Sequence, residues 1–211
     1  MGGYHNRIAI INLTDKTIID ETLDPKVTTD FIGGMGLGAW RLYQDLQPNI
    51  DPLGEDNELI FLVGPLTGTI APCSGGATLV TKSPLTGGFL NSYMQGQFGV
   101  EFRRSGYDML IVRGRASHPS YLLVDNGHIQ IKDARPYWGM STSATSKAIR
   151  KQLNDSEAKV ASIGPAGEKL VRYSAIICDT RAFGRGGSGA VMGSKNLKAL
   201  AVRGDLDIDR G

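Results

Sequence analysis

The chain has 211 residues, a formal net charge of +2 and a hydrophobic content of 41%. This length is enough to bury a substantial core, and the near-neutral charge without a basic tract disfavours a nucleic-acid-binding role. The apolar runs are too short to span a membrane, so we expect a soluble protein.

The first half of the chain is predicted to form short strands and short helices joined by tight turns. Alternating apolar residues indicate a hairpin of strands 7–12 and 17–21. Either Thr28 or Thr29 is expected to cap a short helix that ends at Ile32. The next predicted elements are helix 39–46, strand 58–63, strand 77–81, helix 99–104 and strand 109–112.

The second half of the chain is also predicted to form short strands and a helix. Asp125-Asn126-Gly127 is the strongest hairpin signal in the chain and joins the predicted strands 121–124 and 128–131. Ser143 is expected to cap a helix that ends at Leu153. Three more strands are predicted, at 159–163, 171–177 and 199–202. About ten strands and four helices without a linker favour one α+β domain that comprises residues 1–211.

Two pairs of similar segments indicate a duplicated half-domain. A buried strand runs into Gly-Pro at 60–65 and again at 160–165. Segments 99–114 and 189–204 both begin with glycine and end in Leu-x-Val-Arg-Gly. The pattern predicts an internally pseudo-symmetric domain, and a chance resemblance is the alternative.

Glycine is unusually abundant, with 28 residues, about twice the average usage. Because glycine lets the backbone turn sharply or approach a ligand closely, these clusters predict a large, flat, polar ligand held by backbone N–H groups. A turn-rich β protein is the alternative. The clusters lie at 33–38, 75–76, 87–88, 96–99 and 184–189.

Most common catalytic motifs are missing. Residues 34–39 match GxGxxA loosely, but a predicted helix precedes them and the next strand ends at Gly64, so a nicotinamide site is disfavoured. No Walker motif occurs, and the three histidines lack metal-ligand spacing. Cys73 and Cys178 form no paired motif, which predicts a reduced, cytoplasmic protein; a plain thiol is favoured over a reactive one at Cys73.

The loop of residues 181–189 is a candidate anion-binding site. Arg181 and Arg185 can form paired hydrogen bonds to phosphate oxygens, and the glycine-rich start of the helix that follows can supply N–H donors. The alternative is a pair of solvated arginines beside a tight turn.

Several longer sequence motifs, taken in chain order, resemble the N-terminal domain of the aldehyde:ferredoxin oxidoreductases. The resemblance covers essentially the whole chain. The motifs are Gly-Pro-Leu-Thr-Gly-Thr at 64–69, Thr-Lys-Ser-Pro-Leu-Thr-Gly-Gly at 81–88, Gly-Tyr-Asp at 106–108, Ile-Gly-Pro-Ala-Gly-Glu at 163–168 and the glycine-rich segment 184–199.

The resemblance implies two β-sheets with pseudo-symmetry and a tungsten (or molybdenum) bis-molybdopterin whose two phosphates are bridged by magnesium. A [4Fe–4S] cluster, bound by CxxCxxxC and one distant cysteine, is implied only in the complete enzyme, where an aldehyde is oxidised to a carboxylate and ferredoxin accepts the electrons. Relatives in the family include a benzoyl-CoA reductase subunit.

The implied partners are ferredoxin and the remaining domains or a partner subunit, and a homo-oligomer is left open. This segment alone is expected to be inactive. The alternative is a non-catalytic, stand-alone pterin-binding subunit or assembly factor.

The family's functional positions imply a set of cofactor-binding residues but no catalytic residue in this segment. Arg181 and Ala182 match an Arg-Ala pair at the pterin and magnesium site, where Ala182 would offer its main-chain carbonyl to magnesium. The second carbonyl comes from an asparagine in the family, and that position is Tyr93 here. The remaining cofactor-binding residues are Gln95, which replaces a glycine, with Gly96, Gly184, Arg185 and Gly186.

One departure from the family lies after Ser74-Gly75. Family members commonly have a basic residue at this point, between the pterin and the cluster, whereas this chain has Gly76-Ala77. The resemblance therefore implies altered electron transfer or altered cofactor affinity.

Overall fold

A computed structural model describes residues 3–208 of the chain. The apolar segments of the first half form one six-stranded mixed sheet, and those of the second half form another. The strands of the first sheet are β1 (Arg7–Asn12), β2 (Thr17–Thr22), β3 (Leu59–Leu62), β4 (Ala77–Lys82), β5 (Phe89–Met94) and β6 (Met109–Arg113). Those of the second are β7 (Ser120–Asp125), β8 (His128–Asp133), β9 (Lys159–Ser162), β10 (Ile176–Cys178), β11 (Arg181–Phe183) and β12 (Leu197–Arg203).

Short helices connect the strands and cover the sheets. They are α1 (Pro25–Phe31), α2 (Gly34–Asp45), α3 (Gln97–Arg104), α4 (Thr142–Leu153), α5 (Pro165–Glu168) and α6 (Ser188–Ser194), with a 3-10 helix at Arg135–Tyr137. Helix α2 packs on the outer face of the first sheet, and α4 packs on the outer face of the second. Among the described residues, no helix has the length and apolar composition needed to cross a bilayer.

The two sheets repeat one topology, which confirms the predicted duplication. The first sheet has the order β2-β1-β6-β3-β4-β5, and the second, taken from its β8 edge, has the order β8-β7-β12-β9-β10-β11. Strand β6 runs parallel to β1, as β12 runs parallel to β7. Helix α3 precedes β6 just as α6 precedes β12. The α+β class and the two-sheet architecture are therefore as predicted.

The main core lies between the sheets. Alternation along β3 places Leu59 and Phe61 in this core, whereas Ile60 and Leu62 face α2. Phe61 and Phe183 approach to 5.9 Å between ring centroids, and Phe98 and Phe183 approach to 6.1 Å. These aromatic contacts fix β11 and the start of α3 against the first sheet.

Several helix starts differ from the prediction. Helix α1 begins at Pro25 and is capped by Asp24, whose side chain accepts a hydrogen bond from the N–H of Lys26, so neither Thr28 nor Thr29 is the cap. Helix α4 is capped by Ser141 rather than by Ser143. Helix α2 begins at residue 34 rather than 39, inside the glycine cluster.

The predicted strand 171–177 was mostly wrong. Only residues 176 and 177 belong to a strand, β10, whereas the main chain of Ser174 accepts a hydrogen bond from the N–H of Gly189 in α6. Residues 171–175 therefore contact α6 and do not extend the sheet. Strands β5 and β11 and helix α5 were not predicted as elements.

Candidate functional site

The edge strands of the two sheets meet at one place on the surface. Strand β5 is the edge of the first sheet, β11 is the edge of the second, and the two are in contact. An edge strand leaves part of its main-chain N–H and C=O groups unpaired. We call residues 89–97 and 181–186 the seam. All eight residues that the sequence nominated for cofactor binding lie along it.

The side chain of Arg181 lies beside the N-terminus of a helix at the seam. The Cγ of Arg181 lies 3.4 Å from the position that a Cβ on Gly96 would take, and Gly96 has φ +117°. Gly96 is the residue before α3, and no side chain caps this helix. Among the described residues, the N–H groups of Gln97 and Phe98 have no hydrogen-bond partner. Together these groups suit an anion.

The loop of Gly184, Arg185 and Gly186 is anchored on β5. The hydroxyl of Ser83 donates a hydrogen bond to the carbonyl of Gly186 at 2.7 Å, and the N–H of Arg185 donates a long one, 3.5 Å, to the Ser92 hydroxyl. A Cβ on Gly186 would overlap a methyl group of Leu90. The loop therefore lies close against β5, with the Arg185 side chain exposed.

The glycine-rich start of α6 packs closely against neighbouring segments. Ser188 and Gly189 are buried, and the N–H of Gly189 already donates to the Ser174 carbonyl at 3.0 Å. A Cβ on Gly187 or Gly193 would overlap a carbonyl oxygen of a neighbouring segment. These glycines therefore permit close packing of the helix, and the N–H of Gly189 is not available to an anion.

The departures from the family at positions 76, 93 and 95 form one local arrangement that sequence reasoning missed. The phenol of Tyr93 lies over Gly76 so closely that a Cβ on Gly76 would overlap the phenol oxygen. The amide Nε2 of Gln95 donates to this oxygen at 2.9 Å and to the Cys73 carbonyl at 3.3 Å. The only signal in the sequence was the glycine pair Gly75-Gly76.

A cavity of about 360 Å³ adjoins Tyr93 and is lined largely by the loop of residues 64–76. Large apolar side chains are exposed on both sides of the seam, in that loop, on β5 and in the segments 84–85 and 172–173, which contact each other. Contiguous exposed apolar side chains often mark a surface that contacts a ligand or another protein. The residues concerned are Leu66, Ile70, Leu85, Phe89, Tyr93 and Tyr173.

Metal-binding and thiol chemistry are limited in the described part of the chain. No three His, Cys, Asp or Glu side chains converge there to hold a metal ion. Tyr93 and Ala182, the two residues nominated for magnesium, lie on the edge strands β5 and β11. Cys73 and Cys178 are both free thiols, and burial raises the pKa of Cys178 to about 12, so Cys178 stays protonated and unreactive.

The chain matches the family model described as "Aldehyde ferredoxin oxidoreductase, N-terminal domain" over residues 8–204. A tungsten-containing aldehyde ferredoxin oxidoreductase of Pyrococcus abyssi is 45% identical over 99% of this chain and 35% of its own length. An aliphatic sulfonate oxidoreductase, WOR-like subunit, of Pyrococcus furiosus is 36% identical over 97% of this chain and 35% of its own length.

A solved structure is also similar. The active site complex BamBC of benzoyl coenzyme A reductase, in complex with 1,5 dienoyl-CoA, contains a chain with a TM-score of 0.97 at 36% sequence identity. The match covers 99% of this chain and 32% of that chain. The chain thus spans about a third of the length of these relatives.

Proposed function

Because the chain belongs to the aldehyde ferredoxin oxidoreductase N-terminal domain family, we propose that it binds a tungsten (or molybdenum) bis-molybdopterin cofactor in a larger oxidoreductase. The complete enzyme would oxidise an aldehyde to a carboxylate and pass the electrons to ferredoxin. It would work in a reducing, cytoplasmic compartment, in keeping with the two free thiols.

The observation that carries this proposal is the position of Arg181 beside the start of α3. The two groups come from different sheets and from distant parts of the chain, yet the Arg181 side chain packs on Gly96 next to the free N–H groups of Gln97 and Phe98. Guanidinium and helix N–H groups both favour phosphate oxygens. Arg181 and α3 would therefore bind a pterin phosphate, and Arg185 would add positive charge beside it.

The magnesium ion would sit between the two edge strands. Magnesium prefers oxygen ligands and keeps several waters, so it does not need a cluster of carboxylates. The main-chain carbonyls of Tyr93 and Ala182 would each supply one ligand, and the phosphates and waters would complete the shell. Because the ligand is main chain, tyrosine in place of asparagine at position 93 is compatible with this role.

The remaining parts of the enzyme would complete the chemistry. When bound, the metal and its dithiolenes supply the redox step, and this domain binds and orients them. Two cysteines are too few to ligate a [4Fe–4S] cluster, so the cluster would be held elsewhere in the complete enzyme and this segment alone would be inactive. The exposed apolar face around the seam would be covered by the cofactor and by the other domains or a partner subunit.

Replacement of Arg181 by alanine in the complete enzyme tests the phosphate-binding role. We expect about tenfold or greater weakening of cofactor retention, because a hydrogen-bonded charge at the phosphate is lost. Metal content by mass spectrometry and pterin content by fluorescence of the oxidised cofactor give the readout.

Arg135→Ala is the matched control, since Arg135 is an exposed arginine in the 3-10 helix after β8, at the opposite edge of the second sheet from β11, and pairs with Asp133. It should leave metal and pterin content unchanged. Equal cofactor content in the Arg181→Ala variant and the wild type would contradict the assignment.

A further inference from the structure

The phenol of Tyr93 is held in one position at the edge of the seam. Its ring lies against the main chain of Gly76, where a Cβ would overlap the phenol oxygen. The amide Nε2 of Gln95 lies 2.9 Å from the same oxygen and 3.3 Å from the Cys73 carbonyl oxygen. These contacts join β5 to the loop of residues 64–76, and together they fix the position of the hydroxyl group.

The contact with Cys73 determines the direction of the hydrogen bond to the phenol. A main-chain carbonyl oxygen can only accept hydrogen bonds, so the side-chain atom of Gln95 that faces it must be the amide nitrogen and not the amide oxygen. The two hydrogens of this nitrogen then serve the Cys73 carbonyl and the phenol oxygen. The phenol oxygen is therefore the acceptor in this pair, and its own hydrogen points elsewhere.

The phenol hydrogen has no acceptor in the part of the chain that the structure describes. Tyr93 is 54% exposed and lines the cavity of about 360 Å³ beside the seam. Gly76, which lies against the phenol oxygen, lines the same cavity, so the hydroxyl end of the side chain is at the cavity wall. The hydroxyl group can therefore donate to a ligand in this cavity.

The same loop connects the phenol to the proposed phosphate site. A Cβ on Gly75 would overlap the Gly96 carbonyl, so residues 75 and 76 pack on the residue before α3 and on the phenol, respectively. Two residues separate Tyr93 from Gly96, so their Cα atoms are at most about 11 Å apart. A ligand whose phosphate binds at the start of α3 can therefore place its neighbouring atoms beside the phenol.

A molybdopterin carries its phosphate on a short arm of a fused ring system that has oxygen, nitrogen and sulfur acceptors. We propose, on the basis of the function proposed for the seam, that the Tyr93 hydroxyl donates a hydrogen bond to the ring system of this cofactor. Gln95 is the positioning residue, because it directs the phenol hydrogen away from the protein. A donor at this point stabilises the more electron-rich, reduced cofactor and so raises its reduction potential.

Tyr93→Phe in the complete enzyme, purified without oxygen, tests this role, since the ring can stay on Gly76 and only the hydroxyl group is lost. We expect a lower midpoint potential of the bound metal in a redox titration followed by electron paramagnetic resonance, because the donor to the reduced form is removed. Pterin retention should weaken about fivefold, the usual effect of losing one hydrogen bond between uncharged groups.

Tyr43→Phe is the matched control, since Tyr43 is 85% exposed on α2 and lines neither the seam nor its cavity. It should change neither quantity. A cofactor-loaded Tyr93→Phe variant with an unchanged or higher midpoint potential would overturn this role of the hydroxyl group and leave the function proposed for the seam intact. A wild-type enzyme without pterin would instead overturn that function and this role together.

Discussion

At the scale of single residues, Tyr93 contacts the other two positions, 76 and 95, at which the chain departs from the pattern that the resemblance implies. Gly76 has no side chain where the family resemblance implies a basic one, and the Tyr93 phenol takes the adjoining space. Gln95 then has a defined acceptor in the phenol oxygen. The three positions should therefore be treated as one unit, although they lie on different segments of the chain.

Gly76→Ala tests this coupling. The added methyl group would overlap the phenol oxygen, so the Tyr93 ring must move, and we expect destabilisation of about 1–3 kcal/mol. In a Tyr93→Ala background the same change should cost much less, because the overlapping group is gone. Urea unfolding of the two single variants and the double variant gives the coupling free energy. The same cost for Gly76→Ala in both backgrounds would show that the two residues are independent.

At the scale of elements, the sequence located most strands well and helix starts less well. Hairpin β7–β8 and the buried strand β3 carried strong apolar and turn signals, and their bounds are correct within one or two residues. Helix starts were harder, because several residues near each start can act as a cap. At α1, Asp24 before Pro25 is a stronger start signal than Thr28, whose hydroxyl instead donates within the helix to the Pro25 carbonyl at 2.9 Å.

The start of α4 offers a matched pair of serines for a stability test. Ser141 accepts a hydrogen bond from the N–H of Ala144, so Ser141→Ala should destabilise the protein by about 1 kcal/mol. Ser143 lies inside the helix, where alanine is a better helix former, and Ser143→Ala should be neutral or slightly stabilising. Thermal or urea unfolding distinguishes the two, and a larger loss for Ser143→Ala would show that the cap is misassigned.

Edge-strand pairing and close helix packing explain the remaining differences between the predicted elements and the structure. Strands β5 and β11 have short or polar sequences, and their strand conformation depends on pairing with β4 and β10 rather than on their own apolar pattern. The glycines of α6 looked like those of an anion-binding loop because both uses require the backbone to approach another group closely. Only the neighbouring segments, which the fold supplies, distinguish packing from ligand binding.

At the scale of the whole molecule, the duplication creates the candidate site. Each half ends its sheet in an edge strand, and packing the two sheets face to face brings β5 and β11 together. The repeat could be predicted from the Gly-Pro and Leu-x-Val-Arg-Gly signatures, and the residues of the seam could be nominated by family resemblance. Their mutual contact could not, because Gly96 and Arg181 are distant in the chain and meet only through the packing of the sheets.

The most direct test of the central claim is an experimental structure of the complete enzyme, purified without oxygen and with its cofactor bound. It should show a pterin phosphate within hydrogen-bonding distance of the Arg181 guanidinium and of the Gln97 N–H. A cofactor bound away from the seam, with those two groups contacting only protein or solvent, would contradict the account.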